Sequence, residues 1–136
     1  MTTPDTLEID TLRLAELAAG PFVPLAESMP VMLWMGDQDG RCIYLNKALR
    51  EFWGVAAGDI ARFTWSSTLL DEDAPGLFAV FNQAMQAKQG FVAVARYRRA
   101  DGAVRRLKTT AEPRFAPNGE FMGMVGMNVD LDADIG

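Results

Sequence analysis

The chain of 136 residues contains no histidine and a single cysteine, Cys42. The first absence removes histidine-based metal sites, histidine-ligated haem, and Ser–His or Cys–His catalytic pairs. The second excludes an internal disulfide and fits a reducing compartment, so a cytoplasmic location is expected. Positive charge is also in short supply, with 13 Lys and Arg against 18 Asp and Glu and a formal charge of −5. A nucleic-acid binder is usually basic, and no nucleic-acid partner is expected. No apolar run approaches the ~20 residues needed to span a bilayer, so no membrane partner is expected either. The first ten residues are polar and acidic, unlike a secretion signal. There is no internal repeat, linker or low-complexity segment.

What remains is one domain of ordinary composition, 49% hydrophobic and 23% charged, long enough to bury about two thirds of its unfolded surface. Residues 6–19 have helix-forming composition, with Leu7, Leu14, Leu17 and Ala18 near one face, and Gly20-Pro21 stops the run. A short helix is expected over residues 22–27. Residues 31–35 read as a strand, residues 36–40 (GDQDG) as a turn, and residues 41–45 as the second strand of a hairpin. Asn46 is placed to cap a helix carrying Leu49, Phe52 and Trp53 on one side. One helical turn is expected over residues 59–63. Asp71 to Asp73 open a longer helix reaching about Lys88, with Leu77, Phe78, Phe81 and Met85 at helical spacing and the carboxylates near its positive end. Gly90 ends it.

From Phe91 to Asp132 the chain reads as three strands joined by two turns, Ala100-Asp101-Gly102 and Pro117-Asn118-Gly119. The order is helix, hairpin, several helices, three-strand meander. It predicts an α+β fold with one antiparallel sheet and its helices gathered on one side.

Several motifs carry a resemblance. The hairpin MPVMLWMGDQDGRCIYLNKALREFWG has a strand, a D-x-x-G turn, a strand and an Asn leading into a short helix. Trp65 with Leu69 to Asp73 gives W-x-x-x-L-L-D-E-D. Arg96 to Gly102 reads RYRRADG, Arg105-Arg106 follows, and the meander closes on Asp130-Leu131-Asp132. In this order they resemble the PAS domain, particularly its PAC-containing subclass. Leu70 and Asp71 stand where His-Pro is usual, Arg105-Arg106 where Arg-Trp is usual, and Asp130-Leu131-Asp132 where the family has Asp-Ile-Thr. The resemblance implies a PAS fold with a five-stranded antiparallel sheet and an N-terminal flanking helix. The divisions it implies are residues 1–26 as an amphipathic cap, 27–132 as the PAS domain and 133–136 as a tail.

The resemblance also sets strand parity, because flavin-binding relatives carry a pocket amide at the position of Asn128. Met122, Met124, Gly126 and Asn128 then point inward on the last strand, Leu107, Thr109 and Ala111 on the middle one, and Phe91, Ala93, Ala95 and Tyr97 on the first. With helix residues they give a candidate pocket of Phe52, Trp53, Trp65, Ala93, Ala95, Tyr97, Leu107, Thr109, Met124 and Asn128. The bland alternative is that Phe52, Trp53 and Phe81 fill that space as core. Phe121, Val125, Met127 and Val129 point outward beside Val92, Val94 and Val104. So apolar a face calls for cover, by the N-terminal helix (Leu7, Leu14, Leu17), a second copy, or both. A homodimer is preferred.

For cofactors, flavin photosensors of this superfamily need a cysteine on the helix after residues 59–63. That segment reads FTWSSTLL and has none, so covalent flavin is disfavoured. Haem is disfavoured for want of histidine. Non-covalent flavin or another small molecule stays open, with Trp53, Trp65 and Asn128 as contacts and core packing as the stronger reading of all three. Cys42 reads as a small core residue, the methionines as packing, and the acidic clusters as solvation; no metal site is expected. The basic group Arg96, Arg98, Arg99, Arg105, Arg106 and Lys108 suits an acidic partner or a phosphate, or, more often for such a band, the protection of a sheet edge. No Asp or Glu on a strand has inward parity, and no catalytic residue or enzyme activity is expected. The resemblance implies a sensory module that binds a ligand and acts by homodimerisation or on a histidine kinase, cyclase or other effector, in cis or in trans. A ligand-free interaction module is the alternative. Met1 suggests an N-terminal sensor segment or a stand-alone protein.

Overall fold

A computed structural model describes residues 22–133. The expectations placed on residues 6–19, including Leu7, Leu14 and Leu17, lie outside the described residues. The chain divides into two compact units, Met1–Pro30 and Val31–Gly136. Helix α1 (Phe22–Ser28) belongs to the first, and its last residue donates Oγ–H to the Pro24 carbonyl at 2.8 Å.

The second unit runs β1 (Met32–Gly36), β2 (Cys42–Leu45), α2 (Lys47–Trp53), two 3-10 turns (Ala57–Arg62 and Trp65–Thr68), α3 (Ala74–Ala87), β3 (Phe91–Arg98), β4 (Val104–Phe115) and β5 (Phe121–Asp130). The five strands form one sheet in the order β2-β1-β5-β4-β3, with every pair antiparallel. The hairpin and the meander therefore meet through β1 and β5. Among the described residues, no helix is long and apolar enough to cross a membrane.

The joints follow from particular side chains. Asn46 is fully buried. Its Oδ1 accepts from the backbone N–H of Leu49 at 3.2 Å, capping α2, and from that of Leu33 at 2.9 Å. Its Nδ2 donates to the Val31 carbonyl at 2.8 Å, so one amide ties helix to hairpin. At the other end of α2, Gly54 takes the left-handed conformation that ends the helix.

The acidic run before α3 does something other than the expected service to the helix dipole. Asp73 occupies the N-cap position without making a side-chain cap. Its carboxylate is instead held by Arg96 of β3, through the backbone N–H at 2.7 Å, Nε at 3.0 Å and a terminal nitrogen at 2.8 Å. Leu70 N–H donates to the Arg96 carbonyl at 3.0 Å, and Leu69 bridges to Tyr97. Part of the edge strand β3 is thereby covered.

The basic band is largely spent on internal pairs. Arg96 also meets Glu72, Arg99 meets Asp101, Arg105 meets Asp130, and Arg106 meets Asp132. The last two fasten the end of β5 to β4, with Leu131 N–H donating to the Arg106 carbonyl at 2.8 Å.

Candidate functional site

The inner face of the sheet is built by alternation. Ala95 and Tyr97 of β3, Leu107, Thr109 and Ala111 of β4, and Met122, Met124 and Asn128 of β5 are all buried. Helices α2 and α3 add Leu49, Phe52 and Leu77 to the same core. Between these elements lies a cavity of about 50 Å³. Three tryptophans from three elements stand on its wall, Trp34 of β1, Trp53 of α2 and Trp65 of the second 3-10 turn, with Phe81 and Met85 of α3. Trp65 is clasped by Phe78 and Phe81 at ring distances of 5.9 and 5.7 Å. Trp53 packs between Phe63 and Tyr97 at 5.4 and 5.9 Å.

Polar groups on the wall are few and mostly linked. Trp34 Nε1–H donates to Asn128 Oδ1 at 3.2 Å, and Thr109 Oγ1–H donates to the same oxygen at 2.8 Å. Because an indole N–H can only donate, Oδ1 must face Trp34, which fixes the orientation of the amide. Burial pushes the Tyr97 phenol well above the usual value and keeps it neutral, with the Thr109 side chain opposing the shift.

Trp53 Nε1 is the exception, being buried without a partner among the described residues. Cys42 lends its thiol to the wall. Burial pushes that thiol up to about 11, with a Tyr44 backbone hydrogen bond opposing the shift and the negative charge of Asp37 adding to it. Asp37, from the turn after β1, is the only charged side chain on the wall among the described residues. Its Oδ1 accepts the N–H groups of Asp39 and Arg41, both at 2.9 Å, as a turn residue does.

The geometry sorts the candidates. Trp53, Trp65, Tyr97, Thr109, Met124 and Asn128 come together on the wall. Phe52, Ala93, Ala95 and Leu107 do not; they pack beside it in the main core with Leu45, Leu49 and Leu69. Trp34, Asp37, Cys42, Phe81 and Met85 are among the wall residues absent from the candidate pocket read from the sequence, and Trp34 is the most telling of them. The run VMLWM is apolar throughout because β1 lies between β2 and β5, so it shows no alternation from which to read a face. A signal was present in Gly126, which pairs directly with Trp34 across β1 and β5. A Cβ there would stand 2.4 Å from the Trp34 ring, so the indole lies on bare backbone.

On the outer face Val92, Val94, Val104, Met127 and Val129 are exposed, and Val125 is half-buried. Phe121, expected outward, packs against the inner cluster of Ala84, Ala111 and Met124. A bulge between Arg114 and Phe115 shifts the register there, so Phe121 pairs with Phe115. Gly123, at φ +108°, lies so close to β1 that a Cβ would fall 2.2 Å from the Gly36 carbonyl oxygen.

Comparison with known proteins agrees with this architecture. The chain is 29% identical over 110 residues to the uncharacterized protein y4lL of Sinorhizobium fredii, a match covering 81% of this chain and 13% of that protein. It superposes on the PAS domain of a protein from Colwellia psychrerythraea with a TM-score of 0.70 at 15% identity, covering 87% of this chain and 97% of that one. The LOV domain of the Erythrobacter litoralis EL346 blue-light activated histidine kinase is similar, with a TM-score of 0.66 at 20% identity over 76% of this chain and 97% of that one. A family model described as the PAS fold matches residues 42–128, from the first residue of β2 almost to the end of β5. By sequence as by architecture, the chain belongs to the PAS-fold family.

Proposed function

We propose that this domain is a sensory module that holds a small molecule in the cavity and reports its presence through homodimerisation or contacts with a signalling partner. The observation that carries the reading is the cavity itself. A space of about 50 Å³ walled by three tryptophans is left open where a close-packed core would fill it. It holds about three waters by volume, yet its wall offers too few uncommitted polar atoms to serve them. The similar LOV domain comes from a histidine kinase, and an effector of that kind or a cyclase, in cis or in trans, is the partner this reading favours. It places the module in the cytoplasm and gives it no catalytic step of its own. Asp37, the one carboxylate on the wall, is held by turn N–H groups and has no histidine or lysine beside it there.

An isoalloxazine does not fit the cavity as it stands, since sites for molecules of that size run to about 300 Å³ or more. The smallness of the cavity and the five exposed apolar side chains of the outer face favour, as a second reading, a ligand-free interaction module.

Paired native and denaturing mass spectrometry of freshly purified protein separates the two. The sensory reading expects a mass excess that vanishes on denaturation. A clean apo mass, with no bound species recovered after incubation in cell extract, would leave the interaction module.

A further inference from the structure

The outer face of the sheet carries its charge in a definite order. By alternation β4 turns Arg106, Lys108, Thr110 and Glu112 to that side. Thr110 stands in register with Val92 of β3 and Met127 of β5, and Lys108 with Val94 and Val129. On the other side of Thr110, Glu112 pairs with Val125. Its carboxylate leans over Gly90, where a Cβ would stand 2.9 Å from Oε2. Lys108 and Glu112 are both exposed. Unlike Arg96, Arg99, Arg105 and Arg106, neither has an ion-pair or hydrogen-bond partner for its side chain among the described residues. The apolar patch around Thr110 therefore has an unpaired positive charge at one end and an unpaired negative charge at the other.

That order decides how the patch can meet its own copy. Two sheets packed face to face keep their strands within about 30° of each other. A two-fold axis between them then runs either along the strands or across them. With the axis along β4, Lys108 meets Lys108 and Glu112 meets Glu112, which presses like charges together. With the axis across the strands at Thr110, β4 of one copy runs antiparallel over β4 of the other. Lys108 of each copy then meets Glu112 of the other, while Val92 meets Val92 and Met127 meets Met127.

We propose that the outer face binds a second copy of this chain in the antiparallel sense, with the two-fold axis at Thr110 and two Lys108–Glu112 contacts fixing the register. This rests on the homodimer reading, and deepens it by naming the direction of packing and the residues that set it. In such a pair β5 leaves the two copies at opposite ends, so the segments that follow Asp132 do not start side by side.

Self-association of the whole chain is measured by sedimentation, with the melting temperature of each variant checked against the natural chain. Lys108→Glu and Glu112→Lys should each weaken the dimer at least about tenfold, since each turns two attractive contacts into two repulsive ones. Both changes in one chain should restore it, because the pair is then merely reversed. With the axis along the strands, either single change would leave like charges facing each other and the dimer as it was. A short bismaleimide reads the direction independently of charge. Val92→Cys should cross-link to itself, and so should Met127→Cys, with the natural chain and its Cys42 as background. A mixture of these two variants should give no link between one and the other.

Single reversals that leave the dimer intact, or links formed only between the two variants in the mixture, would overturn the antiparallel arrangement and leave the homodimer standing. A double reversal that fails to restore the dimer would overturn the Lys108–Glu112 contacts. A dimer that neither the reversals nor the cross-links touch would move the contact to another surface. If the natural chain stays monomeric and no variant cross-links, the homodimer reading falls and this inference with it.

Discussion

Cys42 shows how far a single residue's chemistry is set by its surroundings. Its thiol lies on the cavity wall, raised to about 11 by burial and by the charge of Asp37. Since the thiolate is the nucleophile, only a minute fraction is reactive at neutral pH. Iodoacetamide should therefore label the folded protein at pH 7.5 at least tenfold more slowly than the same protein in denaturant, with mass spectrometry reading the adduct. Equal rates would mean that the thiol is not buried as described. A cavity ligand should slow the folded-state reaction further.

At the scale of elements, the tie between α3 and β3 is electrostatic. Arg96 beside Asp73 holds the carboxyl well below the usual carboxylate range, chiefly through the side-chain hydrogen bond and then the Arg96 backbone N–H. A carboxylate depressed on folding adds stability that is present above its unfolded value of about 3.9 and is lost as pH falls through the folded value. Asp73→Asn should thus lower stability to denaturant at pH 7, while the gap between the two proteins narrows as pH falls below the unfolded value. A constant gap between them would assign the loss to the shape of the turn and not to charge. Asp101 and Asp132 are depressed by Arg99 and Arg106 in the same sense, so the natural protein should also lose stability in acid. This pairing was not legible from spacing, because Asp73 and Arg96 are brought together only once the segment before α3 crosses the edge of β3. The cap of α2 was legible, since Asn46 acts on the residues that follow it. The meander was legible for the same reason: its turns carry Asp-Gly and Asn-Gly, and its outer strands alternate.

For the whole molecule, the five-stranded antiparallel sheet was readable from the resemblance carried by motif order, the inward set of the meander from parity, and the cavity only in part. Tyr97, Thr109 and Asn128 could be placed from strand alternation, whereas Trp34 sits in an unalternating central strand and Phe52, Ala95 and Leu107 turn out to fill core beside the space. Parity also failed at the bulge, which redirects Phe121. The outer face is the feature of this scale that carries consequences for assembly. Val92 and Val94 are 58% and 56% exposed on the edge strand, with Met127 and Val129 on β5 40% and 42% exposed. A second copy is the partner proposed for this face. Val94→Glu with Met127→Glu places charge on it without touching the core, and should convert a dimer to a monomer by light scattering. A chain that is monomeric before the change, or dimeric after it, would send the search for a partner elsewhere.

Trp34 and Gly126 face one another across the two central strands, ring on bare backbone. They cannot vary independently. Any side chain at 126 must first evict the indole, and eviction frees the Asn128 oxygen that the indole now holds. A lineage that widened this chamber to house a larger guest would therefore begin at position 34 and gain its freedom at 126 only afterwards. Among descendants of such a chain, the history of what the domain senses would be written as paired changes at these two sites, in that order.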